Sequence, residues 1–129
     1  MNYLGIDYGS AKIGLAKATD ELRIATPFSV VRKGAREIIR IIEAEDIDEI
    51  VVGYPFNLKG EAASQAHRVD MFISELAPTG KPVHRQDERF SSRAAVAQKD
   101  DDSSAAALIL QTYLDRVSAE AYRARENGY

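Results

Sequence analysis

The sequence predicts an α/β domain in which a mixed five-stranded sheet carries helices on both faces. Near the start of the chain, short apolar runs alternate with turn residues, which is typical of antiparallel strands joined by hairpins. Further along, amphipathic helical segments alternate with single buried strands, and this order produces parallel strands through right-handed crossovers. With 129 residues, of which 45% are hydrophobic, the chain has enough apolar material for one core. We therefore expect a single domain over 1–129.

Three strands are predicted in the first part of the chain. Residues 3–8 and 12–19 are apolar runs with β-forming character, and the letters "YGSA" between them are typical of a tight turn. Residues 25–33, "ATPFSVVRK", form the third predicted strand, with Pro27 near its start at an edge or entry position. Because short turns separate these strands, we expect them to pair antiparallel.

Helices and single strands alternate in the middle of the chain. Isoleucines at positions 38, 39, 41 and 42 give residues 35–45 an apolar stripe with the period of a helix. The letters "EIVVGYPF" at 49–56 predict a buried strand that Gly53 and Pro55 end. Residues 61–77 predict a second amphipathic helix. After the loop "PTGKP", residues 83–88 predict the fifth strand.

Two helices are predicted at the end of the chain. Residues 91–98 form a short one, residues 102–117 form a strong one, and the tail continues as helix before it frays. The predicted order is βββαβαβα, followed by one more helix. In sheets of this type, functional sites form at the carboxyl ends of the strands, near the point where the strand order switches.

The bulk composition excludes several classes of protein and of site. The chain contains no cysteine, which excludes disulfides and thiolate metal sites. No apolar run is long enough to cross a bilayer, and the first residues lack the pattern of a signal peptide, so we expect a cytoplasmic protein without a membrane partner. The net charge of −3 counts against a generally basic nucleic-acid binder. However, carboxylates clustered around bound cations lower the net charge without repelling such a substrate.

Acidic residues stand at the predicted ends of several elements. Asp7 ends the first strand, Asp87 and Glu88 end the fifth, and Asp102 begins the strong helix. A carboxylate at the end of a buried strand is costly unless something pairs with it. Carboxylate oxygens are the ligands of Mg²⁺, and two such ions together can activate water and stabilise the leaving oxygen of a phosphodiester.

Four motifs in the same order give the chain a resemblance to a known family. The letters "GIDYGSAKIGLA", "VVGYP" with "GE" soon after, "DERFSS" and "DSSAAALILQTYLD" together resemble the YqgF family. This family is also called RuvX, and its members are described as pre-16S rRNA nucleases and as Holliday-junction-resolvase-like. The resemblance covers nearly the whole chain and implies a ribonuclease-H-like fold. It also implies a metal-dependent nuclease that matures the 5′ end of 16S rRNA.

The family's acidic triad falls, by position, on Asp7, Glu88 and Asp102. The resulting hypothesis is phosphodiester hydrolysis in which Asp7 bridges two Mg²⁺ or Mn²⁺ ions while Glu88 and Asp102 complete one site each. Alternation along a strand sends Asp87 and Glu88 to opposite faces. The sequence alone does not say which face holds the site, and the family pattern selects Glu88. We expect Asp87 to form an ion pair with Arg85 or Arg89.

Basic residues near the proposed active end are candidates for contacts with phosphate groups. RNA is the favoured partner by the resemblance, and a homodimer is left open. The chain departs from the family in one respect, because "VAQKDD" joins the helix after "DER" directly to the last helix, where members usually carry a longer loop. The candidate substrate-binding residues are Lys12, Lys59, Arg89 and Arg93.

Two other functions fit part of the pattern. A nucleic-acid-binding or scaffold module could keep the fold with little chemistry, leaving Asp7 as a turn residue and Asp102 as a helix N-cap. An actin-like ATPase or kinase fragment is the second alternative, because "DYGS" is similar to the turn with which those proteins hold ATP phosphates. That group needs a second copy of the core, for which 129 residues leave no room.

Overall fold

The computed structural model describes residues 1–32, 34–56, 60–88 and 102–126. In these residues five strands and three helices follow one another, with a short 3₁₀ turn at Ala77–Thr79. Among the described helices, none combines the length and the apolar character needed to cross a membrane. The elements are β1 (Asn2–Tyr8), β2 (Lys12–Thr19), β3 (Thr26–Arg32), α1 (Ala35–Ala44), β4 (Glu49–Tyr54), α2 (Glu61–Glu75), β5 (Val83–Asp87) and α3 (Asp102–Glu126).

The five strands form one sheet in the order β3-β2-β1-β4-β5. β1 pairs antiparallel with β2, and β2 pairs antiparallel with β3, whereas β4 is parallel to β1 and β5 is parallel to β4. The predicted mixed sheet is therefore confirmed. It follows that the carboxyl ends of β1, β4 and β5 lie along the same edge, which we call the carboxyl edge.

The first face of the sheet is covered by α1 and α2. Alternate residues of the strands, among them Leu4 and Ile6, pack there against one apolar side of each helix, as the amphipathic patterns predict. Phe72 of α2 is 2% exposed, and its ring lies 4.6 Å from that of Tyr8 between centroids. This face holds the larger part of the hydrophobic core.

Among the described helices, α3 covers the second face. Its buried side chains, such as Ile109 and Leu110, contact Tyr3, Val51 and other strand residues that alternate with those of the first face. Glycine allows the helix to approach closely: a Cβ atom on Gly5 would lie 2.7 Å from the Leu110 Cβ, a distance that real side chains do not tolerate. Both faces are thus covered, as the sequence predicts.

Several element ends differ from the predicted ones for identifiable reasons. β4 ends at Tyr54, directly before Pro55, which has no N–H for the ladder, whereas Gly53 continues the strand instead of ending it. α2 ends at Glu75 rather than at 77, where the chain tightens into the 3₁₀ turn that Gly80 closes in a left-handed conformation (φ 70°). The strong helix predicted over 102–117 and the helical tail predicted after it form one continuous helix, α3, which runs to Glu126. The short helix predicted over 91–98 lies outside the described residues.

Candidate functional site

Asp7 lies on the second face of the sheet, at the carboxyl edge. The side chains of Leu4 and Ile6 point into the core beneath α1 and α2, while Tyr3 and Gly5 face α3. Because successive residues of a strand alternate between faces, Asp7 follows Gly5 on the α3 side. It is partly buried there.

Two glycines flank Asp7 and leave room for other acidic residues. Gly14 of β2 is the direct cross-strand partner of Asp7, and a Cβ atom on Gly14 would lie 3.0 Å from the Cβ of Asp102. Gly53 of β4 is level with Asp7 on its other side, because the residue before Gly53 pairs with Ile6. A Cβ atom on Gly53 would lie 3.6 Å from the Cβ of Glu88. The first turn of α3 and the end of β5 therefore bring Asp102 and Glu88 to either side of Asp7.

The pKa values show that these carboxylates affect one another. The pKa of Asp7 is raised from 3.8 to about 6, first by burial and then by the negative charges of Glu88 and Asp102. The pKa of Glu88 is also raised, by burial and by the charge of Asp87. A cluster of this kind, made of hard oxygen donors that repel one another, is chemically suited to a divalent cation.

The acidic side chains are close without forming a finished metal site. In the described part of the chain, no group of three or more acidic or histidine side chains is already arranged to hold a metal ion. Binding a cation therefore requires that the carboxylates of Asp7, Glu88 and Asp102 rotate toward a common position. The neutralisation of three mutually repelling charges favours that rotation.

The contacts of β5 show which of its residues share the face of Asp7. His84 stacks on Tyr113 of α3 with ring centroids 4.9 Å apart, and Gln86 accepts a hydrogen bond from Arg116 of α3 at 3.5 Å. Even-numbered residues of β5 therefore face α3. Glu88 lies one residue past the end of the strand, and its contact with the Gly53 position, where an added Cβ atom would also meet Ile109 of α3, puts it on the same face. Its place on the same face as Asp7 is what the triad hypothesis requires.

The odd-numbered residues of β5 face α2. Arg85 forms its ion pair with Asp70 of α2 at 2.9 Å, which differs from the predicted pairing with Asp87. By alternation Asp87 is directed to the face opposite Asp7. Arg89, the other predicted partner of Asp87, lies outside the described residues.

Two basic residues lie at the carboxyl edge close to the acidic cluster. Lys12 is exposed at the start of β2, just after the turn in which the Gly9 N–H donates to the Lys12 carbonyl at 2.9 Å. Arg32, at the exposed end of β3, is the cross-strand partner of Lys12. Alternation places both on the face of Gly14.

Arg32 was not among the residues predicted from the sequence. Only the pairing register of β2 and β3 shows that Arg32 lies beside Lys12. A β-bulge near Ala16 shifts this register, so it could not be read from the sequence. Three of the predicted substrate-binding residues lie outside the described part of the chain: Lys59, Arg89 and Arg93.

We expect Asp7→Asn to stabilise the cation-free protein at pH 8 by about 2 kcal/mol. Because the pKa of Asp7 is higher in the folded state, the folded protein holds more protons than the unfolded one between pH 3.8 and about 6. The cost of the charge is therefore fully present above pH 6 and disappears as the pH falls toward 3.8. Urea unfolding in EDTA at pH 8 and pH 5 measures the difference.

The matched control is Glu21→Gln, which removes an exposed carboxylate from the turn after β2. It should change the free energy of unfolding by less than about 0.5 kcal/mol at either pH. A gain from Asp7→Asn that is equal at the two pH values would contradict the electrostatic explanation.

The amino-acid sequence matches a family profile and many curated proteins. The profile of RuvX, described as "Holliday junction resolvase", matches residues 1–116. A protein of Anaeromyxobacter sp. (strain Fw109-5) is 40% identical, over 89% of this chain and 97% of its own length. One of Syntrophus aciditrophicus (strain SB) is 37% identical, over 93% of this chain and 92% of its own. Both are named "Putative pre-16S rRNA nuclease".

Solved structures share the fold at low sequence identity. The RuvC protein of T. thermophilus in complex with a Holliday junction substrate superposes with a TM-score of 0.61 at 16% identity, covering 88% of this chain and 94% of that one. The Fowlpox virus resolvase, in complex with Holliday junction DNA, gives a TM-score of 0.57 at 10% identity, covering 91% and 99% of the two chains. The ribonuclease-H-like fold expected from the sequence is therefore confirmed.

Proposed function

This chain belongs to the RuvX family, and from that premise we propose that it is a divalent-cation-dependent nuclease that hydrolyses phosphodiester bonds in precursor 16S rRNA. The observation that carries the proposal is the convergence of Glu88 and Asp102 on either side of Asp7 at one edge of the sheet. Carboxylates from three separate elements have no structural need to meet there, since their charges repel. The names of the relatives favour RNA as the substrate. We propose the cytoplasm as the location of this activity, in keeping with a precursor rRNA substrate.

The roles of the residues follow from their positions. Asp7 lies between the other two carboxylates and would hold Mg²⁺ or Mn²⁺ ions jointly with Glu88 and Asp102. When bound, such ions neutralise charge on the phosphate and lower the pKa of water. Lys12 and Arg32, on the same face, would bind the phosphates on either side of the reacting one. Hydrolysis forms one bond from phosphorus to the water oxygen and breaks one ester bond, whose oxygen leaves with a proton.

The test is cleavage of a 5′-labelled single-stranded RNA that spans the 5′ end of 16S rRNA. We expect products with Mg²⁺ or Mn²⁺ and none with EDTA, and we expect activity to return when the cation is restored in excess. Cleavage that continues in EDTA would contradict the proposed cation dependence. A lack of cleavage together with a lack of Mn²⁺ binding in a titration would favour the scaffold alternative.

DNA substrates separate the two activities suggested by the comparisons. The family description names a Holliday junction resolvase, so a four-way DNA junction and a DNA strand of the same sequence belong in the same assay. We expect the RNA to be cleaved faster than either. Faster cleavage of the junction would replace the RNA substrate in our proposal with a DNA substrate, while leaving the roles of the three carboxylates unchanged.

A further inference from the structure

An aromatic side chain is exposed at the carboxyl edge, and the proposed chemistry does not use it. Phe56 is 46% exposed and lies two residues after the end of β4. Single exposed apolar side chains are common on protein surfaces, so exposure alone does not make Phe56 a binding site. Its position at the carboxyl edge and the contacts that hold its ring set it apart. Gly53, three residues earlier, is the position next to Glu88.

The ring of Phe56 is held in place by a neighbouring aromatic ring. It meets Tyr54 edge-on, with centroids 4.9 Å apart and planes at 61°. The Tyr54 hydroxyl donates to Asp70 at 2.8 Å, and the guanidinium of Arg85 lies 5.4 Å from the centre of the same ring. Since Asp70 and Arg85 also pair with each other, Tyr54 forms a fixed support behind Phe56.

A fixed and exposed ring is suited to stacking against a flat partner. Because its support is already ordered, Phe56 loses little conformational freedom on binding. Nucleobases stack on aromatic side chains irrespective of sequence, as each base has a π-face. The ion pair of Arg85 with Asp70 leaves the support of the ring without net charge, so the support does not repel a polyanionic nucleic acid.

Phe56 also lies at a suitable distance from the acidic cluster. Three residues of extended chain span at most about 10 Å, so Phe56 is within reach of a nucleotide that neighbours the one held at Glu88. Tyr54 belongs to the α2 face and Asp7 to the α3 face. A nucleic-acid strand bound at the carboxylates would therefore pass over the edge of the sheet before its next base reaches Phe56.

We propose that Phe56 is a stacking platform for an unpaired nucleobase next to the bond that is cleaved. This inference rests on the proposed nuclease function and narrows its substrate. A base must leave its own stack and its pairing partner to lie on Phe56, so single strands and splayed junctions are bound in preference to continuous duplexes. Stacking does not depend on the sugar, and the platform serves RNA and DNA equally.

The test compares the wild type with Phe56→Ala, Phe56→Trp and Met71→Ala in binding a fluorescent single-stranded RNA. Binding is measured with Mn²⁺ by rapid mixing, before cleavage proceeds, and again in EDTA. We expect Phe56→Ala to weaken binding about tenfold, and Phe56→Trp to retain it. Met71 on α2 is 57% exposed and provides the matched control, for which we expect less than a twofold change. Because these side chains are exposed, thermal unfolding should be the same for all four proteins.

An abasic site identifies the stacked base directly. It is moved along the RNA one nucleotide at a time. At one position the abasic site should weaken binding by the wild type about tenfold and leave Phe56→Ala unaffected. Wild-type binding that Phe56→Ala does not change would overturn the platform alone. If the wild type neither binds nor cleaves any nucleic acid, the proposed function fails and the platform fails with it.

Discussion

Asp7→Asn is expected to lower the rate of RNA cleavage by about a thousandfold or more while the protein remains folded. Asparagine keeps the shape of the side chain but removes the charge that lies between Glu88 and Asp102. A neutral amide cannot compensate the charge of a divalent cation, so the remaining carboxylates should bind it weakly. Single-turnover cleavage with saturating RNA and Mn²⁺ measures the effect on the chemical step rather than on binding.

The same substitution should have opposite effects on stability and on activity. In EDTA the variant should be the more stable protein, because the repelled charge is gone; with Mn²⁺ the wild type should gain stability and the variant should gain much less. Asp115→Asn, at an exposed position of α3, is the activity control and should cleave at the wild-type rate. Equal cleavage by the wild type and Asp7→Asn would remove Asp7 from the proposed site.

Gly14→Ala is expected to destabilise the protein by about 3 kcal/mol or more. The added Cβ would lie 2.0 Å from the backbone oxygen of Asp102 and 2.3 Å from its carbonyl carbon. Backbone atoms cannot rotate away as a side chain can, so the first turn of α3 must move off the sheet. Urea unfolding gives the loss in free energy, and isothermal titration with Mn²⁺ in the folded fraction gives the loss in cation binding.

Gly5→Ala separates these two losses. Its added Cβ would lie 2.7 Å from the Cβ of Leu110 and 2.9 Å from the backbone oxygen of Ala106. These contacts are about one turn or more along the helix from Asp102. We therefore expect a comparable loss of stability with Mn²⁺ binding largely preserved. If both variants bind Mn²⁺ as the wild type does, the position of Asp102 against Gly14 is not required for the site.

The strands and helices could be predicted from the sequence because their patterns are local. Alternating apolar residues in β1 and β2, and the isoleucine stripe of α1, report directly which side chains are buried. The exact end of α3 could not be predicted from an apolar pattern. Residues 118–126 lack an apolar stripe and are mostly exposed, so the pattern that predicts a packed helix stops at 117 although the helix itself continues. Helix-forming residues suffice there, without a core to cover.

The candidate site could be predicted in part. The position of Asp7 follows from its place at the end of a buried strand, and the resemblance to the family adds Glu88 and Asp102. Alternation puts Asp87 and Glu88 on opposite faces but does not say which of them shares the face of Asp7. The packing of β5 against α3 decides this, and it is seen only in the structure. Arg32 depends on a register that a bulge has shifted. Long-range geometry of this kind has no local signature.

The placement of Asp102 on the last helix has a consequence for the living cell. The third carboxylate is made after the whole sheet, and it reaches Asp7 only when α3 has docked along the second face. A nascent or truncated chain, or one in which α3 has detached, would lack one of the three carboxylates of the proposed site. If the protein is the RNA nuclease that we propose, this arrangement acts as a safeguard, because RNA meets an active enzyme only after the chain is complete and folded.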